Sequence, residues 1–240
     1  MQIIKQIPNL ITLSNLLGGC IAIVILVTGF LPTEYAFVCI LYSLIADFLD
    51  GFTARLLKAH SPIGLQLDSL ADMVSFGLFP GLLIFYSFGF FSNDPSTLEE
   101  SPINYLAFLI TLGSAYRLAK FNVDSEQTTY FRGLATPANT ILCIGIFYLL
   151  SYLDHFDSFL PIYSTYFLAG FSIISCFLLV SNLPLFSLKF KSFKLKDLLA
   201  PILLALISII LLFYLGVVAL APIIILYIIL SIIFKKSFVK

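Results

Sequence analysis

From Leu198 to Phe234 the chain runs without one charged side chain. A helix of about 20 apolar residues already spans roughly 30 Å of hydrocarbon. The block is therefore too long for one crossing, and Gly216 offers a break near its middle. Six apolar runs precede it, at roughly 10–28, 35–57, 66–91, 103–121, 134–153 and 159–181, and the block divides into 198–213 and 216–234. Backbone polar groups in lipid must find partners within the protein, which helices provide. The expected fold is all-α, a polytopic transmembrane helical bundle of about eight spans forming a single domain over residues 1–240. The seventh run is short, and the last block could still cross once. Only 11% of the residues are charged and mean hydropathy is +1.06, whereas a soluble domain carries about 25% charge. Such apolarity excludes disorder. A formal net charge of zero gives no basic field to recruit nucleic acid.

Charge along the chain sets an orientation. With eight spans, all 13 basic residues, from Lys5 through Arg55 and the Lys189–Lys196 cluster to Lys240, fall in loops of one side. Glu34, Asp94, Glu99, Glu100, Asp154 and Asp157 fall on the other. The excess of Lys and Arg on cytoplasmic loops then predicts cytoplasmic termini in an integral, multi-pass membrane protein. The Lys189–Lys196 cluster would also attract anionic lipid headgroups. Pro8, Asn9, Ser14 and Asn15 interrupt the first run, so it reads as an uncleaved span rather than a signal peptide. Cys20, Cys39, Cys143 and Cys176 lie within apolar runs and read as packing residues. His60 and His155 read as isolated interfacial polar residues.

Four carboxylates break the apolar pattern. Asp47 and Asp50 are three apart at the end of the second run, and Asp68 and Asp72 are four apart at the start of the third. Each pair shares a helical face. An uncompensated carboxylate there costs several kcal/mol, and four would repel one another. Protonation, basic partners or metal ions could relieve this. Arg55 and Lys58 are the only cations close in sequence and cannot balance four charges. Two divalent cations would, and all-oxygen ligation with no His or Cys suits Mg²⁺ or Mn²⁺. Gly51, Ala54 and Arg55 extend the Asp47/Asp50 face, and Gly64 precedes Asp68 by four. Small residues leave room for a ligand to approach backbone, and Arg55 supplies a fork matched to phosphate. Together they describe a diphosphate site.

The pattern Asp47-x-x-Asp50-Gly51-x-x-Ala54-Arg55, continued by Gly64, Asp68 and Asp72, resembles the CDP-alcohol phosphotransferase signature at each of its eight fixed positions. Within that family the chain looks like a membrane-integral phosphatidylserine synthase. The segments that carry this are Ile7–Asn15, Asp72–Gly77, Arg117–Asn122 and Phe131–Ala138. Lys120 and Ala135 stand where such enzymes more often have Arg and Pro. The resemblance implies a bundle with a polar cavity open to the cytoplasm, commonly dimerised. It implies that Asp47 and Asp68 each contact both metals, that Asp50 completes the first site, and that Asp72 ligates the second and acts as general base. Gly51, Arg55 and Ser61 would hold the nucleotide and its phosphates, with Ala54 and Gly64 lining the slot and Thr12 nearby.

The implied reaction transfers a phosphatidyl group from CDP-diacylglycerol to L-serine and releases CMP. Either Asp72 takes the serine proton, or metal coordination acidifies the hydroxyl and Asp72 relays it. Arg117, Lys120 and Arg132 lie on the same expected membrane side as the aspartates, and one of them would hold the serine carboxylate. Two alternatives stand beside this reading. A sister enzyme would use glycerol 3-phosphate or inositol phosphate as acceptor. A divalent-cation transporter would also carry intramembrane acids.

Overall fold

The computed structural model describes residues 6–59, 61–91, 101–123, 131–154, 160–186 and 195–235. Helix α1 (Ile7–Thr28) begins with Pro8, whose missing N–H is no loss in a first turn, and ends at Gly29. Gly29 takes φ +61° and returns its N–H to the Ile25 carbonyl at 3.0 Å, the left-handed cap that glycine adopts without strain. After Pro32 the chain reverses into α2 (Thr33–Leu56).

Burial in α1 is inverted relative to a soluble helix. Leu10, Leu13, Leu17, Ile21 and Val24 are exposed, while Thr12, Asn15, Gly18, Gly19 and Ala22 are buried. An outward apolar face with a small and polar inner face is what lipid selects. The glycines let helices approach closely. A Cβ at Gly18 would stand 3.1 Å from the Tyr42 ring on α2, and one at Gly19 only 2.9 Å from Ser75 Cα.

A third rod is built from three pieces. Ser61 caps α3 (Pro62–Asp72) by accepting the Gly64 N–H at 3.0 Å, with Pro62 in the first turn. A π-helical turn follows over Met73–Leu78, and α4 continues over Phe79–Phe90. Pro80 has no N–H to offer the preceding turn. The Phe76 carbonyl instead accepts from Thr140 Oγ1 at 3.2 Å, and Thr111 Oγ1 bonds the Gly77 carbonyl at 3.0 Å. The fourth run opens as a 3-10 helix (Pro102–Ala107) before α5 (Phe108–Val123). Next come α6 (Thr136–Asp154) and α7 (Leu160–Val180). A buried bond from Ser175 Oγ to Asn139 Oδ1 at 2.7 Å joins α6 to α7.

The last block folds as a hairpin. Helix α8 (Leu195–Leu215) ends at Gly216, φ +55°, in a short 3-10 turn, and α9 (Leu220–Ile233) returns. Ala200, Leu203 and Leu204 then pack with Leu226, Leu230 and Phe234 around Phe186. The break expected at Gly216 is thus where the chain turns.

Among the described residues, six helices are long and apolar enough to cross a membrane, and two features of the expected span list differ. The third rod starts at Pro62 rather than near residue 66. The fourth run gives an α-helix of only 16 residues, because the 3-10 opening takes up its first turns. By length alone Leu199–Ile233 is one apolar stretch of 35 residues, although it bends back on itself. The one strand pair among the described residues, β1 (Phe131–Arg132) with β2 (Pro184–Leu185), is antiparallel. Long apolar helices with outward apolar faces make this an integral membrane protein. The core lies where α4, α6 and the first rods meet, with Phe37, Phe79, Phe147 and Tyr148 in edge and tilted ring contacts.

Candidate active site

The two pairs of aspartates meet because α2 and α3 are joined by a short loop. Carboxylate oxygens of Asp47, Asp50 and Asp68 all lie within 4.8 Å of one another. Three acids so close repel one another, and their oxygen donors from two helices could hold a hard divalent ion. Asp72 falls outside that group. It stands one turn further along, 8% exposed, and accepts from Asn15 Nδ2 at 3.4 Å. Asp50 is buried on the α1 side, where Thr12 donates its hydroxyl to Oδ2 at 2.6 Å.

Two cavities flank the acids. The first, about 470 Å³, is lined by Thr12 of α1, by Asp50, Gly51, Ala54 and Arg55 of α2, and by Ser61, Gly64 and Asp68. It thereby gathers all six residues expected to hold the nucleotide and its phosphates. Gly51 keeps it open, since a Cβ there would meet only the Arg55 guanidinium, 3.8 Å away. The second cavity, about 370 Å³, is lined by Asp47, Asp50, Asp68, Asp72, Arg117, Phe121 and Ala135–Pro137. Asp50, Gly51, Arg55 and Asp68 belong to both linings and form the shared wall.

The three cations expected near the acceptor have different fates. Arg117 is 9% exposed on the second cavity's wall, and its Nε has no hydrogen-bond partner. Asp72 and Tyr227 are electrostatic neighbours of its guanidinium. Lys120 turns outward and donates to Asn182 Oδ1 at 3.0 Å. The backbone of Arg132 lies in β1, and its side chain lies outside the described residues, as do His60 and most of the Lys189–Lys196 cluster. Asn122 is tied to Ser69 by reciprocal bonds of 2.9 and 3.2 Å.

Asn15 entered the sequence reading as an interruption of the first apolar run and was given no role in the site. Its side chain is fully buried, its amide reaches Asp72, and its Oδ1 has no partner. Its backbone carbonyl accepts from both Ser43 at 2.9 Å and Ser75 at 3.1 Å. The available signal was an amide three residues beyond Thr12 on one face of an apolar helix. Thr136 was also passed over: it is fully buried at the cavity edge, with Oγ1 unpartnered.

A membrane-embedded helical bundle with a carboxylate triad at the wall between two cavities defines a class of intramembrane enzymes whose acids could hold a metal. Residues 5–181 match the CDP-alcohol phosphatidyltransferase family, and the chain belongs to it. It is 32% identical over 182 residues to CDP-diacylglycerol–serine O-phosphatidyltransferase of Helicobacter pylori J99, covering 73% of this chain and 70% of that one. The protein of that name from Bacillus subtilis is 34% identical over 133 residues, covering 55% of this chain and 70% of its own. The one from Saccharomyces cerevisiae is 39% identical over 118 residues, covering 45% and 40%.

Proposed function

We propose that this protein transfers the phosphatidyl group of CDP-diacylglycerol to the hydroxyl of L-serine, forming phosphatidylserine and releasing CMP. The observation that carries the acceptor assignment is Arg117, a buried guanidinium with an open Nε beside the carboxylates. The names of the relatives agree with it. Arg55, shared by both cavities, faces the diphosphate, and Lys120 is engaged by Asn182. Among the described residues one buried cation remains, which suits one carboxylate better than the two charges of a phosphomonoester and argues against glycerol 3-phosphate and inositol phosphate.

The nucleotide and diphosphate occupy the first cavity, with Arg55 forking phosphate oxygens and Gly51 admitting them close to backbone. Serine occupies the second, its carboxylate on Arg117 and its hydroxyl toward Asp72. Asp47, Asp50 and Asp68, with Asp72 at the second position, would hold Mg²⁺ or Mn²⁺, which when bound supplies charge neutralisation for the diphosphate and the departing CMP. Asp72 accepts or relays the serine proton as the new P–O bond forms and the bond to CMP breaks. Asn15 orients Asp72 for that task. The acyl chains stay in the bilayer, and the acids toward the cytoplasmic ends of α2 and the third rod let the headgroup meet water-soluble serine.

The test is CMP release by purified protein given CDP-diacylglycerol and a panel of acceptors. L-serine should support it strongly, ethanolamine weakly and glycerol 3-phosphate not at all, because a charged site rejects an analogue lacking its partner. EDTA should abolish release, and Mg²⁺ or Mn²⁺ should restore it. Full activity after metal removal would overturn the metal assignment, and efficient use of glycerol 3-phosphate would overturn serine.

A further inference from the structure

The family match ends at Ser181, yet the hairpin of α8 and α9 beyond it packs on Phe186, next to the strand pair that leads into the second cavity's wall. Helix α9 runs against α6 without a gap: a Cβ at Gly145 would stand 2.8 Å from Ala221 Cα. Six residues further on, about 9 Å along the helix, Tyr227 arrives at the cavity end of the bundle. Two features tie it there. Its hydroxyl donates to the Phe186 carbonyl at 3.0 Å, and it is an electrostatic neighbour of Arg117.

The hydroxyl's acceptor lies at the end of a short chain of main-chain bonds. Phe186 follows β2, which pairs with β1, so that Phe131 faces Leu185 and Arg132 faces Pro184. Immediately after β1, the Gly133 N–H bonds the Leu183 carbonyl at 2.9 Å and the Leu134 N–H bonds the Leu178 carbonyl at 2.9 Å. Gly133 takes φ +77°, and a Cβ there would lie 2.6 Å from the Leu179 carbonyl. The loop is thus held close against the end of α7. It then delivers Ala135, Thr136 and Pro137 to the cavity wall. Tyr227 braces the cavity from outside its lining, through Phe186 and the strand pair to the Ala135–Pro137 edge.

We infer that Tyr227 is a positioning residue for the acceptor, so that the C-terminal hairpin tunes the second cavity while the first cavity is served by α1, α2 and α3 alone. This rests on the proposed two-cavity division of substrates, but not on the acceptor being serine. Tyr227 lines neither cavity, and its bonded path through Phe186 leads to the edge of the second and not to the first. Its loss should therefore affect the two substrates unequally.

The test is steady-state kinetics of full-length protein in lipid vesicles, with Tyr227→Phe, Arg117→Ala and the double variant. The acceptor is whichever compound supports CMP release in wild type. Tyr227→Phe should raise the acceptor KM about threefold to tenfold, the value of one lost hydrogen bond, and leave the CDP-diacylglycerol KM within about twofold. Because both residues serve the same cavity and are electrostatic neighbours, the double variant should be less impaired than the product of the two single effects. Tyr214→Phe, exposed on α8, serves as control and should match wild type. An unchanged acceptor KM in Tyr227→Phe would overturn the inference. So would equal increases for both substrates, which mark general loosening of the fold. If serine fails but another acceptor shows the Tyr227 effect, the serine assignment falls and the positioning role stands.

Discussion

Asp72 lies outside the close carboxylate triad, buried and held by Asn15, whereas Asp68 sits within it. The difference gives the two acids separable roles. Asp72→Asn should keep appreciable CDP-diacylglycerol affinity while turnover falls about 10²-fold or more. Asp68→Asn should weaken both, because it removes a ligand from the triad. Equal loss of binding in the two variants, measured by equilibrium titration with the nucleotide lipid, would contradict this. A second expectation concerns Asn15. Ser43 and Ser75 bond its backbone rather than its side chain, so Asn15→Leu should leave the packing of α1 intact. Turnover should nonetheless fall about tenfold for one lost hydrogen bond to a charged group, with little change in thermal midpoint. A large drop in midpoint would make Asn15 structural instead. The acids were legible in the sequence because a carboxylate in an apolar run is anomalous by residue type alone. Asn15 was not, since an amide there is costly only when buried, and its burial depends on two other helices.

At the scale of elements, hydropathy gave the runs but not their ends. Pro62 and the Ser61 cap extend α3 to a start that the charge-poor window missed. The π turn after Asp72 was invisible, since nothing in Met73–Leu78 marks it. It depends on Thr111 and Thr140, which bond its carbonyls from helices far along the chain. The strand pair was equally hidden, because two residues on each side carry no pattern. Gly216 was readable, since glycine in so long an apolar block has few other uses. The hairpin it makes has a consequence for topology. With Ala200 packed beside Leu230 and Phe186, reporter fusions at Lys194 and Lys240 should lie on one side, expected to be cytoplasmic, and a fusion near Asp154 on the other. Lys240 and Lys194 on opposite sides would mean that the block crosses once.

At the scale of the whole molecule, the first two helices and the third rod build the first cavity, and α5 with the start of α6 completes the second. The wall of Asp50, Gly51, Arg55 and Asp68 belongs to both. A partition of this kind has a kinetic signature. With donor and acceptor in different cavities, as proposed, the two would meet only across the partition, and neither would need to leave before the other arrives. Initial-velocity lines at varied serine and CDP-diacylglycerol should intersect rather than run parallel. CMP should compete with the nucleotide lipid and not with serine. Parallel lines would mean that the phosphatidyl group rests on the protein between two half-reactions, and the shared wall would then be a parking place rather than a crossing point.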